Sequence, residues 1–472
     1  MPFSYKSGRS NTDYSNQTNP SIATSSSDAS STYPHTSHVE EPNLKVLIVG
    51  AGIGGLLLGY CLERAGIDYV ILERAPRPHT TKTTIQFTAN TLHAIDQLGL
   101  LEEVLKISKP ITGVTLHKHS MSVVGRIDFL FHKERAEFCR ILMSRMRPDR
   151  IQWGRKVLET VSGDIGVQCR CANGYVVQGD ILVGADGAYS AVRQNLFRNL
   201  KEKSLLPKSD MESLKFTQNA IIGMTEPLDP VDFPEAATEF GRCQIVIGKD
   251  SSPYTLWITP TSENRLTWSV TGLLITETKG EQNLMVSQFG PEEVRKTCNL
   301  IESLESPIGG SLSTLIAHTQ EENMIKILVE EKHYKTWHHG RTVLMGDACH
   351  KFVSFSGQGP EQAMLDAICL ANVFYSLKKP YPYADITEAF AMYHELRSPV
   401  SKAAVQTSGQ MANLINGQGL GSEIKRKLVF NLPMWMQALS VDKAQTRPLL
   451  HFLPAIPGRG SKSVGAPSIK SV

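Results

Sequence analysis

The stretch LKVLIVGAGIGGLLLGYCLERAGIDYVILER, residues 44–74, restricts what this chain can fold into more than any other. Leu44 to Val49 is an apolar run of strand length that stops at Gly50, which predicts a buried strand ending in a turn. Gly50, Gly52 and Gly55 complete a GxGxxG spacing, and Leu56, Leu57, Tyr60 and Leu62 then recur with helical periodicity. Gly66 predicts the helix stop. A second strand, Tyr69 to Leu72, ends in Glu73. Strand, glycine turn, helix, strand and acid in this order predict a dinucleotide-binding βαβ unit. Gly50 permits the tight turn, Gly52 lets a pyrophosphate approach the backbone, and Gly55 lets helix and strand pack closely. The helix N-terminus offers unpaired N–H groups to the phosphates. Glu73 stands where a carboxylate accepts from ribose hydroxyls, and its charge argues against a 2′-phosphate there.

A chain of 472 residues exceeds what one compact core usually serves, so two domains or a large composite one are expected. The formal net charge of +3 lacks the basic excess of a nucleic-acid binder, and no nucleic-acid partner is expected. The eight cysteines contain no CxxC pair, which suggests reduced, mostly buried thiols in a cytoplasmic, non-secreted protein. No apolar run reaches the roughly 18 residues of a membrane span. Residues 1–42 are rich in Ser, Thr and Asn, a composition expected of a disordered tail without a secretory signal. Residues 458–472 are expected to behave likewise.

Further along, TTIQFTANTLHAIDQLG (83–99) predicts a short strand entering a helix that closes at Gly99. FHKERAEFCRILMSRM (131–146) predicts an amphipathic helix with Phe138, Ile141, Leu142 and Met146 on one face and Arg135 at its start. Val167 to Cys171 and Tyr175 to Gln178 flank Ala172-Asn173-Gly174, a hairpin signal. Ile181 to Val183 predicts a buried strand that breaks into Gly184-Ala185-Asp186-Gly187 ahead of a helix with Ser190 and Arg193. Arg341 to Met345 predicts another strand, ended by Gly346-Asp347, and helical periodicity resumes from about Pro360, a residue suited to a helix's first turn.

Taken together, GxGxxG at Gly50 to Gly55, GADGAYSAVR at Gly184 to Arg193 and LMGDACH at Leu344 to His350 resemble, in order and spacing, the single-component FAD-dependent monooxygenases typified by p-hydroxybenzoate hydroxylase. The likeness runs from about Leu44 to Leu377, and in detail it is to fungal members acting on polycyclic or terpenoid-derived substrates. The resemblance implies an α/β fold: a Rossmann-type FAD-binding domain, an inserted antiparallel β-sheet substrate domain and a C-terminal helical segment. It implies that both glycine turns hold one FAD. Gly50, Gly52, Gly55 and Glu73 would take the pyrophosphate and adenosine ribose. Arg135, Gln86, Gly346, Gly357 and Gly359 would contact the cofactor, Asp186 would serve both FAD and nicotinamide binding, Asp347 the ribityl chain and Pro360 the isoalloxazine. The positive end of the helix near Pro360 would face the flavin N1–C2=O edge. NAD(P)H would be a transient co-substrate, since no second GxGxxG appears. Oxygen would be inserted through a flavin C4a-hydroperoxide, so no catalytic side chain is assigned.

Cys349, Ser354, Ser356 and Glu361 depart from the family pattern, as does TTKTT at 80–84, where the family has a small Gly-rich stretch. A carboxylate at 361 suits the helix start but would oppose anionic reduced flavin if aimed at it. His338, His339, His350 and Cys349 lack metal-ligand spacing, and no metal is expected. From Phe216 to Leu274 alternating runs predict an antiparallel sheet, in which Tyr254, Trp257 and Trp268 are expected to pack rather than line a pocket. The expected division is 43–215 with 330–380 for FAD, 216–329 for substrate and 381–457 for C-terminal helices. Lys425, Arg426 and Lys427 precede Phe430, Trp435 and Met436, a basic–aromatic segment expected to dock on the flavin domain, with a peripheral membrane contact as the other reading. The expected activity is NAD(P)H- and O2-dependent hydroxylation or epoxidation of an aromatic or polycyclic small molecule. The alternatives are a non-oxygenating flavin oxidoreductase, such as a double-bond reductase, and an inactive FAD-binding protein.

Overall fold

The computed structural model describes residues 43–78, 84–134, 137–212, 215–249, 253–279, 290–352, 357–417, 419–433, 436 and 447–457. Among these, two large sheets carry the architecture. The first has six strands in the order His338–His339, Thr342–Leu344, Ile181–Gly184, Lys45–Val49, Asp68–Leu72 and Ile151–Gln152. All neighbours pair parallel except the short strand at His338–His339. Lys45–Val49 lies between Asp68–Leu72 and Ile181–Gly184, and its residues Val46 to Ile48 are fully buried. Burial on both faces is what a near-continuous apolar strand requires.

Helices cover this sheet. Ile53–Arg64 follows the first strand, and Gly54 lets it approach the helix Gln358–Ser376, since a Cβ there would meet Met345 Cε at 2.9 Å and Ala363 Cβ at 3.3 Å. Ala191–Glu202 begins at Ser190, whose Oγ accepts from Arg193 N at 2.9 Å. The hairpin of Val167–Cys171 and Val176–Gly179 turns at Gly174, φ +77°.

The second sheet has eight strands in the order Met324–Glu330, Lys215–Met224, Arg265–Lys279, Tyr254–Thr261, Gly241–Val246, Ser108–His117, Val123–Glu134 and Ile85–Phe87. Only Gly241–Val246 with Ser108–His117 is parallel. Three of these strands come from upstream of residue 216. Phe131 to Glu134, expected to begin a helix, finish the strand Val123–Glu134, where Phe131 pairs with Ile111 and Glu134 with both Ser108 and Ile85. The helix itself is Glu137–Arg145. Its apolar face, with Phe138 and Leu142 buried, was legible, but the pairing partners of residues 131–134 lie twenty or more residues away.

Alternation along the central strands divides the second sheet's two faces. Ile221, Leu256, Ile258, Leu266, Trp268 and Val270 point to a core with the helices Pro291–Ile301 and Leu312–Ala317. Trp268 lies over Gly223, its cross-strand partner, and its Nε1 donates to Thr319 Oγ1 at 2.9 Å. Ala220, Ile222, Trp257, Thr259 and Ser269 occupy the opposite face, which looks into a cavity.

The C-terminal region is a 34-residue helix, Tyr383–Asn416, followed by Leu420–Phe430. The latter docks on the second sheet and not on the first. Phe430 is buried with Ile111, Leu116 and Ile245, and Gly125 makes room for it, because a Cβ there would meet Phe430 Cβ at 2.8 Å. Asn431 Nδ2 donates to Val124 O at 3.0 Å, and Lys118 pairs with Glu423. All eight cysteines are free thiols.

Candidate functional site

Four polar turns leave the carboxyl ends of parallel strands in the first sheet: Gly50–Gly55, Glu73, Gly184–Gly187 and Gly346–Asp347. Because parallel strands end on the same edge, topology alone brings the four together. Contacts join them. Met345 N donates to Gly184 O at 3.0 Å and Ala185 N to Val49 O at 2.9 Å. Gly50 has φ +107°, and a Cβ there would lie 2.5 Å from Ala185 O. Gly55 touches the turn from behind, with a virtual Cβ 2.1 Å from Gly50 O. Gly52, the N-cap of Ile53–Arg64, differs: a Cβ there would meet nothing within 4 Å. Two glycines thus shape the turn, and the third leaves open space before a helix N-terminus, as an approaching pyrophosphate requires.

Glu73 is buried and supports this turn from below. Its Oε2 accepts from Ala51 N at 2.8 Å and its Oε1 from Ala75 N at 2.8 Å, and each oxygen keeps a further lone pair. Asp186 Oδ2 accepts from Ala191 N at 2.6 Å and Val192 N at 3.2 Å, which caps the following helix. Its Oδ1 is buried with no partner among the described residues. Burial raises its pKa, against the bonds from Ser190 and the backbone. An orphaned carboxylate oxygen and the open cradle at Gly52 are features a polar ligand with hydroxyl and phosphate groups would complete.

The second turn is held by a residue that sequence reading passed over. Asp366, fully buried in Gln358–Ser376, accepts through Oδ2 from Gly346 N at 2.8 Å and from His350 Nε2 at 2.7 Å. Its Oδ1 accepts from Arg397 Nε at 2.8 Å, and Arg397 also donates to Gln362 Oε1 at 2.7 Å. Burial alone would raise the Asp366 pKa, but His350, Arg397 and the Gly346 N–H outweigh it and hold the carboxyl at about 2. The only sequence hint was an aspartate on an otherwise apolar helix face. Next to this network, Asp347 Oδ2 accepts from Lys351 Nζ at 2.6 Å. Cys349, His350 and Asp366 have ligand-type atoms within 4.8 Å of one another. Both Asp366 oxygens are already engaged, however, and burial keeps Cys349 a protonated thiol. His350 and Asp366 are hydrogen-bonded to each other, and Cys349 Sγ donates instead to Gly346 O at 3.5 Å.

Glu361 does not face the cavity. It is buried in the first turn of Gln358–Ser376 and its Oε1 accepts from Thr88 N at 3.1 Å and from Thr88 Oγ1. It ties that helix start to the N-cap of Ala89–Gln97. Burial pushes its pKa up to about 7, against the hydrogen bonds from Thr88.

A cavity of about 680 Å³ runs from the glycine turns to the second sheet. Gly52, Gln86, Gly346, Asp347, Gly357, Gly359 and Pro360 line its first end. Gly357 has φ +61°, and a Cβ there would lie 3.1 Å from Gln86 Oε1, so these two elements meet closely. Gly50, Gly55, Glu73 and Asp186 stand behind the lining and shape it. Arg135, Ser354 and Ser356 lie outside the described residues. At the far end Trp257 lines the cavity, whereas Trp268 is in the core and Tyr254 packs over Gly272. Met411, Ile415 and Phe430 from the C-terminal helices close it. These three were invisible as pocket residues, because nothing local says where those helices dock.

A two-sheet α/β fold with glycine turns along one edge and a cavity beneath an antiparallel sheet defines a flavoprotein class. A family model described as an FAD binding domain matches residues 43–408, and the chain belongs to that family. In sequence it is similar to the FAD-dependent monooxygenase paxM of Penicillium paxilli, 30% identical over 357 residues that cover 72% of this chain and 71% of that one. It is also similar to the FAD-dependent monooxygenase ctvC of Aspergillus terreus, 28% identical over 353 residues, 71% of each chain. In fold it resembles Klebsiella pneumoniae HpxO complexed with FAD and uric acid, with TM-score 0.68, 19% identity and coverage of 85% of this chain and 96% of that one. The 2,6-dihydroxypyridine-3-hydroxylase of Arthrobacter nicotinovorans has TM-score 0.65, 18% identity and coverage of 81% and 95%. The protein is an FAD-dependent monooxygenase, with reduced nicotinamide, O2 and a small organic molecule as its reactants. The non-oxygenating and inactive alternatives are not favoured.

Proposed function

We propose that one FAD spans the two glycine turns, mainly within 43–215 and 330–380, and that the second sheet, to which 216–329 supplies most strands and 85–134 three more, presents with the 381–457 helices an aromatic or polycyclic substrate for hydroxylation or epoxidation. Gly50, Gly52, Gly55 and Glu73 serve the pyrophosphate and adenosine half. Gln86, Asp186, Gly346, Asp347, Gly357, Gly359 and Pro360 serve the ribityl chain and ring, with Arg135 assigned by resemblance. The observation that carries this reading is the single cavity joining both turns to the inner face of the sheet. Bound FAD, once reduced by NAD(P)H, supplies the activation of O2. The chain's own residues bind, orient and exclude water. The N-terminus of Gln358–Ser376 presents backbone N–H groups and a positive helix end to the ring. Glu361, directed to Thr88, does not oppose that field across the cavity. Asp366 fixes the Gly346 backbone, and thereby the position of Asp347.

The test is the visible spectrum of the purified chain, before and after NADPH, with and without air. A yellow protein that bleaches without air and recovers with oxygen supports the reading. A flavin that reduces but resists oxygen points to a reductase, and a chain that will not take up FAD refutes it.

The C-terminal segment carries a second, finer reading. Arg426 is buried and donates to the Leu414, Ile415 and Gly417 carbonyls, so it caps the long helix and does not serve a surface. Leu420, Ile424 and Leu428 are exposed at four-residue spacing, with Lys425 and Lys427 exposed beside them. We propose that this face rests peripherally on an anionic membrane. Among the described residues no helix is long and apolar enough to cross one. Sedimentation with anionic but not with neutral vesicles is the expected result, and equal recovery with both refutes it.

A further inference from the structure

The charge of the cavity wall says more about the substrate than the fold does. Among the described lining residues only Asp347 and Lys351 carry charge, and they pair with each other at 2.6 Å at the glycine-turn end. The far end is walled by Val114, Ile127, Ala220, Ile222, Ile245 and Phe430, with hydroxyls at neighbouring positions of two strands and at Thr407 and Ser408 of the helix Tyr383–Asn416. An anionic substrate placed there would lose its hydration with no unpaired cation among the described lining residues to replace it, which costs several kcal/mol.

The hydroxyls differ in what they have left to offer. Thr259 Oγ1 donates to Cys243 Sγ at 3.3 Å and Thr271 Oγ1 to Thr255 O at 3.4 Å. Thr267 Oγ1 is shut away from solvent, Thr407 Oγ1 donates to Ala403 O at 2.9 Å, and Ser408 is buried and has a partner of its own. Ser269 is half-buried, lines the cavity, and makes no side-chain hydrogen bond among the described residues. Its neighbours Trp268 and Val270 point into the opposite core, so its side chain is committed to the cavity face. It pairs across to Ile222 on one side and Trp257 on the other, so an apolar and an aromatic side chain flank its one polar group.

We infer that Ser269 is a specificity-determining residue, hydrogen-bonding one hydroxyl or carbonyl oxygen of an uncharged, otherwise apolar substrate, and that the cavity rejects carboxylates. This rests on the monooxygenase reading above and adds to it the charge and the polar anchor of the substrate. A ring system bearing one oxygen fits: it desolvates cheaply against the wall, and its single polar group meets the Ser269 hydroxyl.

The probes are 2-naphthol, 2-naphthoate and 2-methylnaphthalene, of equal ring shape and, at neutral pH, respectively uncharged, anionic and without a polar group. Binding is followed by the probes' own fluorescence on the FAD-loaded full chain. Flavin content is measured on the same samples by absorbance, so failure to hold FAD is seen separately from failure to bind a probe. 2-Naphthol should bind at least about tenfold tighter than 2-naphthoate. Ser269→Ala should weaken 2-naphthol about fivefold and leave 2-methylnaphthalene unchanged. Ser269→Thr, which keeps the hydroxyl, should restore a preference for the naphthol over the hydrocarbon. Naphthoate binding as tightly as naphthol, an unchanged naphthol affinity in Ser269→Ala, or no binding of any probe overturns the inference.

Discussion

Replacing Asp366 by Asn tests whether the second glycine turn is held electrostatically. Asn matches the shape of a protonated Asp366: it removes the charge and, like the protonated acid, turns one of the two acceptor oxygens into a donor. A carboxyl held at about 2 instead of the ordinary 3.8 contributes on the order of 2 kcal/mol at neutral pH, an appreciable part of a typical folding stability of about 5–15 kcal/mol. The folded value is depressed, so this contribution is complete above the unfolded pKa and is lost as pH falls through 3.8 towards 2. Urea midpoints of wild type and Asp366→Asn should therefore differ most at pH 7, and about half the difference should be gone by pH 3. Other carboxylates are shared by both proteins and cancel. Asp366→Ala should cost more, about 3–5 kcal/mol, because it leaves the buried Arg397 without its partner. Both variants should also release flavin more readily, since Gly346 N loses its carboxylate. Equal midpoints at pH 7, or a difference that does not shrink in acid, refute the electrostatic account.

Further outcomes follow from the same geometry. Gly52→Ala should fold with near-normal stability yet retain FAD at least about tenfold less well, whereas Gly50→Ala, facing Ala185 O at 2.5 Å with φ +107°, should lose about 1–3 kcal/mol of stability; thermal melts with flavin content separate the two. Asp347→Ala should elute from gel filtration without flavin, and full occupancy would refute its assignment. Glu361→Gln should stabilise the protein at pH 8, by on the order of 3 kcal/mol, and change nothing at pH 4. Its folded pKa of about 7 lies above the ordinary 4.5, so ionising it opposes folding as pH rises through that window. Identical denaturation curves at pH 8 would show that burial does not control this carboxyl.

Local chemistry determined the nucleotide half of this protein. A strand, three glycines at fixed spacing, a helix signal and Glu73 leave one βαβ solution. Asp186 and Asp347 were assigned to the same ligand by the resemblance of three motifs, in order and spacing, to a known family, and the parallel sheet is what brings them to one edge. Local chemistry also showed which residues of the central strands alternate, though not which face meets the cavity. Tertiary structure decided what depends on long-range docking. Glu361 could have supported its helix start or opposed the flavin, and only the contact with Thr88, 273 residues away in sequence, decides between them. Phe131 to Glu134 looked helical until Ser108–His117 and Ile85–Phe87 claimed them as strand. Arg426 looked like one of three surface cations, yet it is spent on the carbonyls of the preceding helix. Asp366 carried almost no signal because its partners, His350 and Arg397, are brought to it by a turn and by a separate long helix. Backbone turns and periodicity are short-range and survive in the sequence, whereas the partner of a buried charge is chosen by packing, which only the folded chain supplies.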